Sequence, residues 1–226
     1  MAKSASIEFI EIATQISEPV TKFGGQPVWI DKPQWPLSEQ TRNPMEFICQ
    51  IALSDDLFPG MEGKVAYVFM TEEEEYVDET WEPDGGENAI IIQPGVTSAV
   101  VSEIVDGPSI KEYIEVKGYD RLQPKLKEFS VRLSIKDEPD FASEEIRDKW
   151  SESAFDEYAQ ALDGNKIGGT PIFLQGDEFP TDGEYKLLLQ LDSTRTPFFV
   201  NFGDAGIAYA FINSEGTVGK FLWQCA

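Results

Sequence analysis

Two short stretches of the sequence place a lysine before a pair of glycines and a proline, a combination that could hold an anion. The residues concerned are Lys22, Gly24, Gly25, Pro27, Lys166, Gly168, Gly169 and Pro171. A phosphate-binding loop has several glycines between a strand and a helix N-terminus, usually followed by Lys-Ser/Thr. Here the lysine comes first and a strand-like run follows the proline. We therefore interpret both stretches as tight turns with positive φ rather than as phosphate cradles.

Other polar side chains accompany these turns. Lys22 and Lys166 could contact an anion, but in so acidic a chain we expect nearby carboxylates or helix-end carbonyls to be their partners. Gln50 and Gln190 each stand alone in an apolar, strand-like run. A buried amide must find hydrogen-bond partners, and the loop carrying the glycines is the nearest source. The pattern favours a structural clamp over a ligand contact.

Carboxylates offer further candidate sites. The acidic run 72–88 lacks the alternating ligand spacing of a calcium loop, which indicates a solvated loop or a docking surface for a basic partner. The runs 137–140 and 177–178 could act as catalytic pairs, although nothing in their spacing favours this. Asp204, within 201–206, is interpreted as part of a turn and only weakly as part of a ligand loop.

The composition excludes several kinds of chemistry. There is no histidine, so Ser-His and Cys-His pairs and histidine metal sites are excluded, and catalysis would need carboxylates, lysines, tyrosines or a borrowed metal. The two cysteines, Cys49 and Cys225, lie far apart in apolar runs and fall short of any zinc spacing. We predict two buried, reduced thiols and no cofactor.

The charge balance bears on partners. The 226-residue chain has 41 acidic and 18 basic residues, a formal net charge of −23. Such a field repels nucleic acid and anionic membranes and attracts a basic protein; the alternative is a surface adapted for solubility or salt. No run approaches 18 apolar residues and residues 1–9 contain no apolar signal core, so we expect a cytoplasmic protein.

The elements that position the two turns also recur. After each proline comes an apolar run, then an aromatic-proline pair, a strand around the glutamine, and an Ala-aromatic strand. The paired blocks are 28–30 and 172–174, 35–36 and 179–180, 47–51 and 187–191, and 66–69 and 208–211. This order predicts an internal duplication: a single domain over 1–226 built from two pseudo-symmetric halves, about 1–130 and 131–226.

The remaining patterns are mostly strand-like. Residues 6–18 could form a strand or a short helix; the other expected strands are 28–30, 45–53, 65–70, 89–93, 98–105, 110–119, 129–135, 172–174, 185–191, 198–202, 206–212 and 218–224. One helix is predicted over 143–162, with Ser143 as N-cap and Gly164 beyond its end. Its apolar face comprises Ile146, Trp150, Tyr158 and Leu162. The fold class is α+β and β-rich, with mixed or antiparallel sheets and few helices.

The sequence resembles the YwqG-like family of bacterial proteins of unknown function through the stretches 166–171, 188–191, 202–206 and 221–225. The stretch 23–30 is also similar to the programmed cell death protein 2 family. The latter resemblance implies a dedicated chaperone for a basic ribosomal protein, and the former implies toxin immunity. Neither implies catalytic residues. We therefore expect a non-enzymatic module that binds a basic protein, the alternative being a carboxylate-dependent enzyme or RNA-processing factor.

Overall fold

The computed structural model describes residues 1–73, 75, 77–119 and 122–226, and it is rich in β-structure with two short helices. The prediction of a β-rich α+β fold is confirmed. The strands are β1 (Ala2–Glu11), β2 (Lys22–Gly24), β3 (Trp35–Pro36), β4 (Glu46–Ala52), β5 (Val65–Met70), β6 (Asn88–Gln93), β7 (Val101–Ser102), β8 (Lys111–Ile114), β9 (Gln123–Leu126), β10 (Glu128–Glu138), β11 (Lys166–Gly168), β12 (Tyr185–Asp192), β13 (Ile207–Asn213) and β14 (Gly219–Gln224). The helices are α1 (Glu144–Arg147) and α2 (Glu152–Leu162).

Ten strands form one sheet in the order β14-β13-β12-β11-β1-β10-β2-β4-β5-β6, with every neighbouring pair antiparallel. Two small two-stranded sheets, β3-β7 and β8-β9, lie outside it. The long strands β1 and β10 pair at its centre, and a four-strand unit flanks each of them. The sheet curls until its two edge strands meet: a Cβ on Gly219 of β14 would lie 2.5 Å from Cβ of Ile90 on β6.

The two four-strand units share one register. Lys22 lies opposite Gln50, and Lys166 lies opposite Gln190. In each unit a β-bulge lies just before the glutamine on the same strand, between Phe47 and Cys49 and between Leu187 and Leu189. The following strand then places a tyrosine opposite each glutamine. The units are therefore alike in pairing, and their origin by duplication stays a prediction.

The alternation of side chains along the strands separates three apolar clusters. The largest takes residues from both units, among them Phe23, Ile48, Val68, Leu189 and Ala210. Neighbouring residues point to the opposite face, where each unit has its own aromatic cluster, one around Tyr67 and Phe69 and the other around Tyr209 and Phe211. Since the central cluster is shared, the two units stabilise one another through it.

Several sequence expectations are corrected. Residues 28–30, 172–174 and 198–202 are not strands, and only Val101–Ser102 of 98–105 pairs. The apolar runs after the prolines cross the face of the sheet, and side chains rather than a neighbouring strand satisfy part of their backbone. The N-terminal run, which the sequence left open between strand and helix, forms β1. Glu74 of the acidic run lies outside the described residues.

The single helix predicted over 143–162 is wrong, because the chain forms α1 and α2 with a break between them. A second cap causes the break: the Ser151 hydroxyl accepts from the Ala154 amide at 3.3 Å and starts a new helix. Ser143 precedes α1 but makes no side-chain cap bond. Tyr158 and Leu162 are buried as expected, whereas Ile146 is half exposed.

None of the helices in the described residues is both long and apolar enough to cross a lipid bilayer.

Candidate functional site

The second turn is built around a buried ion pair. The Lys166 ammonium lies 3.0 Å from Glu138 Oε2, and the side chains of the two residues are 1% and 0% exposed. Lys166 also donates to the Thr170 carbonyl at 2.6 Å, across the turn. Burial lowers the pKa of Lys166 to about 8 although Glu138 opposes the shift. The N–H groups of the Lys166 ammonium are therefore taken up by one carboxylate and by the turn itself, which leaves none for an external anion.

Glu138 is saturated by donors. It accepts from the Ser4 hydroxyl at 2.7 Å and from the Thr170 amide at 3.0 Å, in addition to Lys166. Burial alone raises the pKa of this carboxyl, but the Thr170 amide, the Lys166 charge and the Ser4 hydroxyl outweigh it and lower the pKa. Lys136 completes the cluster from a half-exposed position, 3.2 Å from Oε1.

The first turn repeats this chemistry with a carboxylate from a different place. Lys22 Nζ lies 2.6 Å from Glu128 Oε1 and donates to the Gln26 carbonyl at 2.6 Å. Burial lowers the pKa of Lys22 against the pull of Glu128. Glu128 lies opposite Gly24 on the adjacent strand, whereas Glu138 reaches Lys166 from one strand further away, past Ser4. Both turns thus hold a buried lysine paired with a glutamate, although the two glutamates are not matched in register.

Close approach explains the second glycine of each turn. Gly169 has φ +82°, and a Cβ there would lie 2.2 Å from Glu138 Oε2. Gly25 has φ +66°, and a Cβ there would lie 2.5 Å from the Glu128 carboxyl carbon. Any side chain would displace the carboxylate, so glycine is required both by conformation and by space.

Gln190 joins the chain on both sides of the second turn. Its Oε1 accepts from the Ile172 amide at 3.0 Å, and its Nε2 donates to the carbonyls of Leu162 and Gly164 at 3.1 and 3.0 Å. The Tyr209 hydroxyl donates to the Ile172 carbonyl at 2.8 Å. The amide therefore ties the end of α2 to the segment after Pro171, as the clamp interpretation supposes.

Gln50 makes the matching contacts at the first turn. Its Oε1 accepts from the Val28 amide at 2.8 Å, its Nε2 donates to the Val20 carbonyl at 2.8 Å, and Tyr67 donates to the Val28 carbonyl at 2.9 Å. Both glutamines are at most 1% exposed. The amide oxygen and nitrogen of both side chains are thus engaged by backbone groups of the chain itself.

A second pair of glutamines was missed by the sequence reasoning. Gln93 Oε1 accepts from the amides of Ile30 and Asp31, and Gln224 Oε1 accepts from those of Leu174 and Gln175. These bonds pair backbone amides at or just after the ends of the runs 28–30 and 172–174, which were expected to be strands. The available signal was a glutamine that ends an apolar run in each half.

A cleft of ≈ 670 Å³ opens beside the second turn. Gly168 to Pro171 form one wall and the loop 55–59 another. The remaining lining includes the aromatic rings of Phe141, Phe179 and Tyr185, together with residues 1–3, 140 and 186–187. Because the ion pair and the clamp are satisfied internally, this cleft, and not the turn chemistry, is the candidate site. Its lining of aromatic rings with a few charged groups is typical of a binding site.

The other acidic candidates have structural contacts. Asp177 accepts from the Glu144 amide at 2.6 Å and from Arg147 at 2.7 Å, which caps α1. Glu178 accepts from Gln224 at 2.8 Å, and the Asp204 carbonyl accepts from the Ala226 amide at 2.9 Å. Within the described ranges, no three His, Cys, Asp or Glu side chains are placed to hold a metal ion.

The thiols differ. Cys49 is fully buried in β4 and burial raises its pKa, whereas Cys225 is only partly buried, contrary to the expectation of two buried thiols.

The chain belongs to the family described as a domain of unknown function, DUF1963, which matches residues 21–218. The matched range contains both Gly-Gly turns, both clamp glutamines and the residues that wall the cleft from 55 to 59 and from 141 to 187. No curated protein matches the chain.

Proposed function

We propose that this protein is a non-enzymatic binding module that captures a basic protein. The observation that supports this is the excess of surface carboxylate. If each of the 18 cationic residues neutralised one carboxylate, 23 of the 41 would still lack a counter-charge. In the part of the chain that the structure describes, the buried acidic residues are Glu46, Glu87, Glu138 and Asp192. The excess therefore lies at the surface.

Such a surface steers an oppositely charged partner and repels a like one. Long-range attraction raises the association rate of a basic protein, and ionic strength weakens it. The same field opposes phosphate backbones and anionic lipid, so we propose neither nucleic acid nor a membrane as the partner. We also propose a cytoplasmic location.

Helix α2 provides a concrete docking surface. Glu152, Asp156 and Glu157 are exposed on it, and Phe155 between them is 40% exposed. An exposed aromatic ring on the same helix as exposed carboxylates combines an apolar anchor with charges that select a basic partner. The buried residues of α2 are Tyr158 and Leu162, so these side chains lie outside the buried face of the helix.

The resemblance to the YwqG-like family supports toxin immunity as one form of this role. The resemblance of residues 23–30 to the programmed cell death protein 2 family supports a client-specific chaperone as the other. Both forms require a basic client and no catalytic group. The alternative, a carboxylate-dependent enzyme or RNA-processing factor, has as its candidates Asp177, Glu178 and Asp204. The carboxylates of Asp177 and Glu178 are engaged in structural hydrogen bonds.

The test is capture from an extract of the native cell at low salt, elution in a salt gradient, and mass spectrometry. The matched control carries Glu152→Gln, Asp156→Asn and Glu157→Gln, which keep size and polarity. We expect one basic protein that is released at moderate salt and retained less by the control. Retention of no protein, or retention that salt and the substitutions leave unchanged, would refute the proposal.

A further inference from the structure

One segment of the chain completes the sheet next to the first turn. β2 ends at Gly24, which leaves the adjoining edge of β4 open at Phe47. The Phe47 amide donates to the Pro108 carbonyl at 2.9 Å, and the Ile110 amide donates to the Phe47 carbonyl at 3.3 Å. Ser109 thereby forms a parallel bridge with Phe47. Residues 107–110 thus act as a short added strand.

The second unit has the same edge without such a segment. Leu187 precedes its bulge as Phe47 does, and it lies opposite Phe211 as Phe47 lies opposite Phe69. β11 ends at Gly168, as β2 ends at Gly24. By this correspondence, the Leu187 amide and carbonyl point away from β13. Among the described residues, no segment outside the sheet hydrogen-bonds to the Leu187 backbone, and the cleft lies in front of it.

The space before the glycine also differs between the units. At Gly24 an added Cβ would lie 2.6 Å from Ile110, because that side chain fills the site. At Gly168 the nearest side chains are Phe58 and Leu57, at 3.7 and 3.8 Å. An apolar side chain entering the second site would meet this apolar wall.

The residue that precedes the edge position has opposite charge in the two units. In the first unit it is Glu46, which accepts from Lys111, the residue after Ile110, at 3.2 Å. In the second unit it is Lys186, which is exposed and lines the cleft. The group that would pair with it is a carboxylate.

We infer that the cleft binds an extended peptide of another protein by strand addition at Leu187. The peptide residue facing Leu187 is small, the next is apolar and packs against Leu57 and Phe58, and the one after is acidic and pairs with Lys186. Main-chain hydrogen bonds supply affinity and the two side chains supply specificity, as in other sheet-edge complexes. This inference rests on the proposed protein-binding function and assigns it a second contact, separate from the acidic surface of α2.

The test uses a synthetic peptide with the sequence of residues 105–113 carrying Lys111→Glu, titrated into the ¹⁵N-labelled full chain and followed by NMR. The unchanged 105–113 peptide is the comparison. We expect saturable shifts at the amides of Leu187, Gly168 and Gly169, and tighter binding of the glutamate peptide by up to about fivefold, the worth of an exposed ion pair. In a Lys186→Glu variant the preference should reverse. Lys149→Glu, an equal charge change on an exposed residue outside the cleft, should leave it unchanged.

Shifts at Phe47 instead of Leu187 would mean displacement of the chain's own segment and would overturn the inference. Concentration-dependent shifts at Leu187 without peptide would assign the edge to a second copy of this chain, also overturning it. No shift at millimolar peptide would overturn it as well. Capture of a basic protein by the surface of α2 would stand in each of these cases, so the two proposals fail separately.

Discussion

Replacing Lys166 with methionine removes the cation from a carboxylate that is fully buried. Glu138 keeps the Ser4 hydroxyl at 2.7 Å and the Thr170 amide at 3.0 Å, but its remaining cation, Lys136, is 40% exposed. Breaking one side of a buried pair costs about 3–5 kcal/mol. Because Lys136 and the two hydrogen bonds remain, we expect a loss near the lower end, about 3 kcal/mol.

The double variant Lys166→Met with Glu138→Gln should be more stable than this single variant. The neutral amide can still accept from the Thr170 amide, and the main loss is then the unpaired Thr170 carbonyl, which costs about 1–3 kcal/mol. Urea unfolding at pH 7, followed by tryptophan fluorescence, measures the free energies of unfolding of Lys166→Met, of Glu138→Gln and of the double variant. A single variant that loses less than about 1 kcal/mol, or a double variant that loses the sum of both single effects, would refute the reasoning.

Three further outcomes follow from the same turn. Gly169→Ala should destabilise the chain by several kcal/mol more than Gly63→Ala in urea unfolding, since both glycines have positive φ but only the Cβ at Gly169 meets an atom, Glu138 Oε2 at 2.2 Å. Gln190→Leu should cost about 2–3 kcal/mol by the same assay, because one amide and two carbonyls lose their partner; a loss below about 0.5 kcal/mol would contradict the clamp. Burial lowers the pKa of Lys166 to about 8, so between pH 8 and its ordinary pKa the unfolded chain binds more protons than the folded one. The free energy of unfolding should therefore rise with pH in this window by up to about 3 kcal/mol relative to the double variant, and parallel pH profiles would contradict it.

The turns could be located from the sequence because their requirements are local. Paired glycines before a proline, and a lone glutamine in an apolar run, can be recognised in the sequence without knowledge of the residues that contact them. The glutamate that pairs with each lysine cannot be recognised in this way. Glu138 reaches Lys166 from a strand that is not adjacent to β11, and no spacing in the sequence encodes this.

Tertiary contacts also decided the elements that the sequence misassigned. Residues 28–30 and 172–174 have strand-like composition, but Gln93 and Gln224 satisfy amides on or beside them, so they need no partner strand. The peptide-binding role inferred for the cleft emerges only once both units are aligned by register, because it rests on the place that residues 107–110 fill in the other unit. The surface charge, by contrast, follows from composition alone.

The central claim, electrostatic capture of a basic protein, is tested most directly by the salt dependence of association with the partner obtained by capture. Stopped-flow or surface binding would give association and dissociation rates from low to physiological salt, for the chain and for the variant with Glu152→Gln, Asp156→Asn and Glu157→Gln. The account predicts an association rate that falls steeply with salt while dissociation changes little, and a weaker salt dependence in the variant. An association rate that is insensitive to both salt and these substitutions would contradict it.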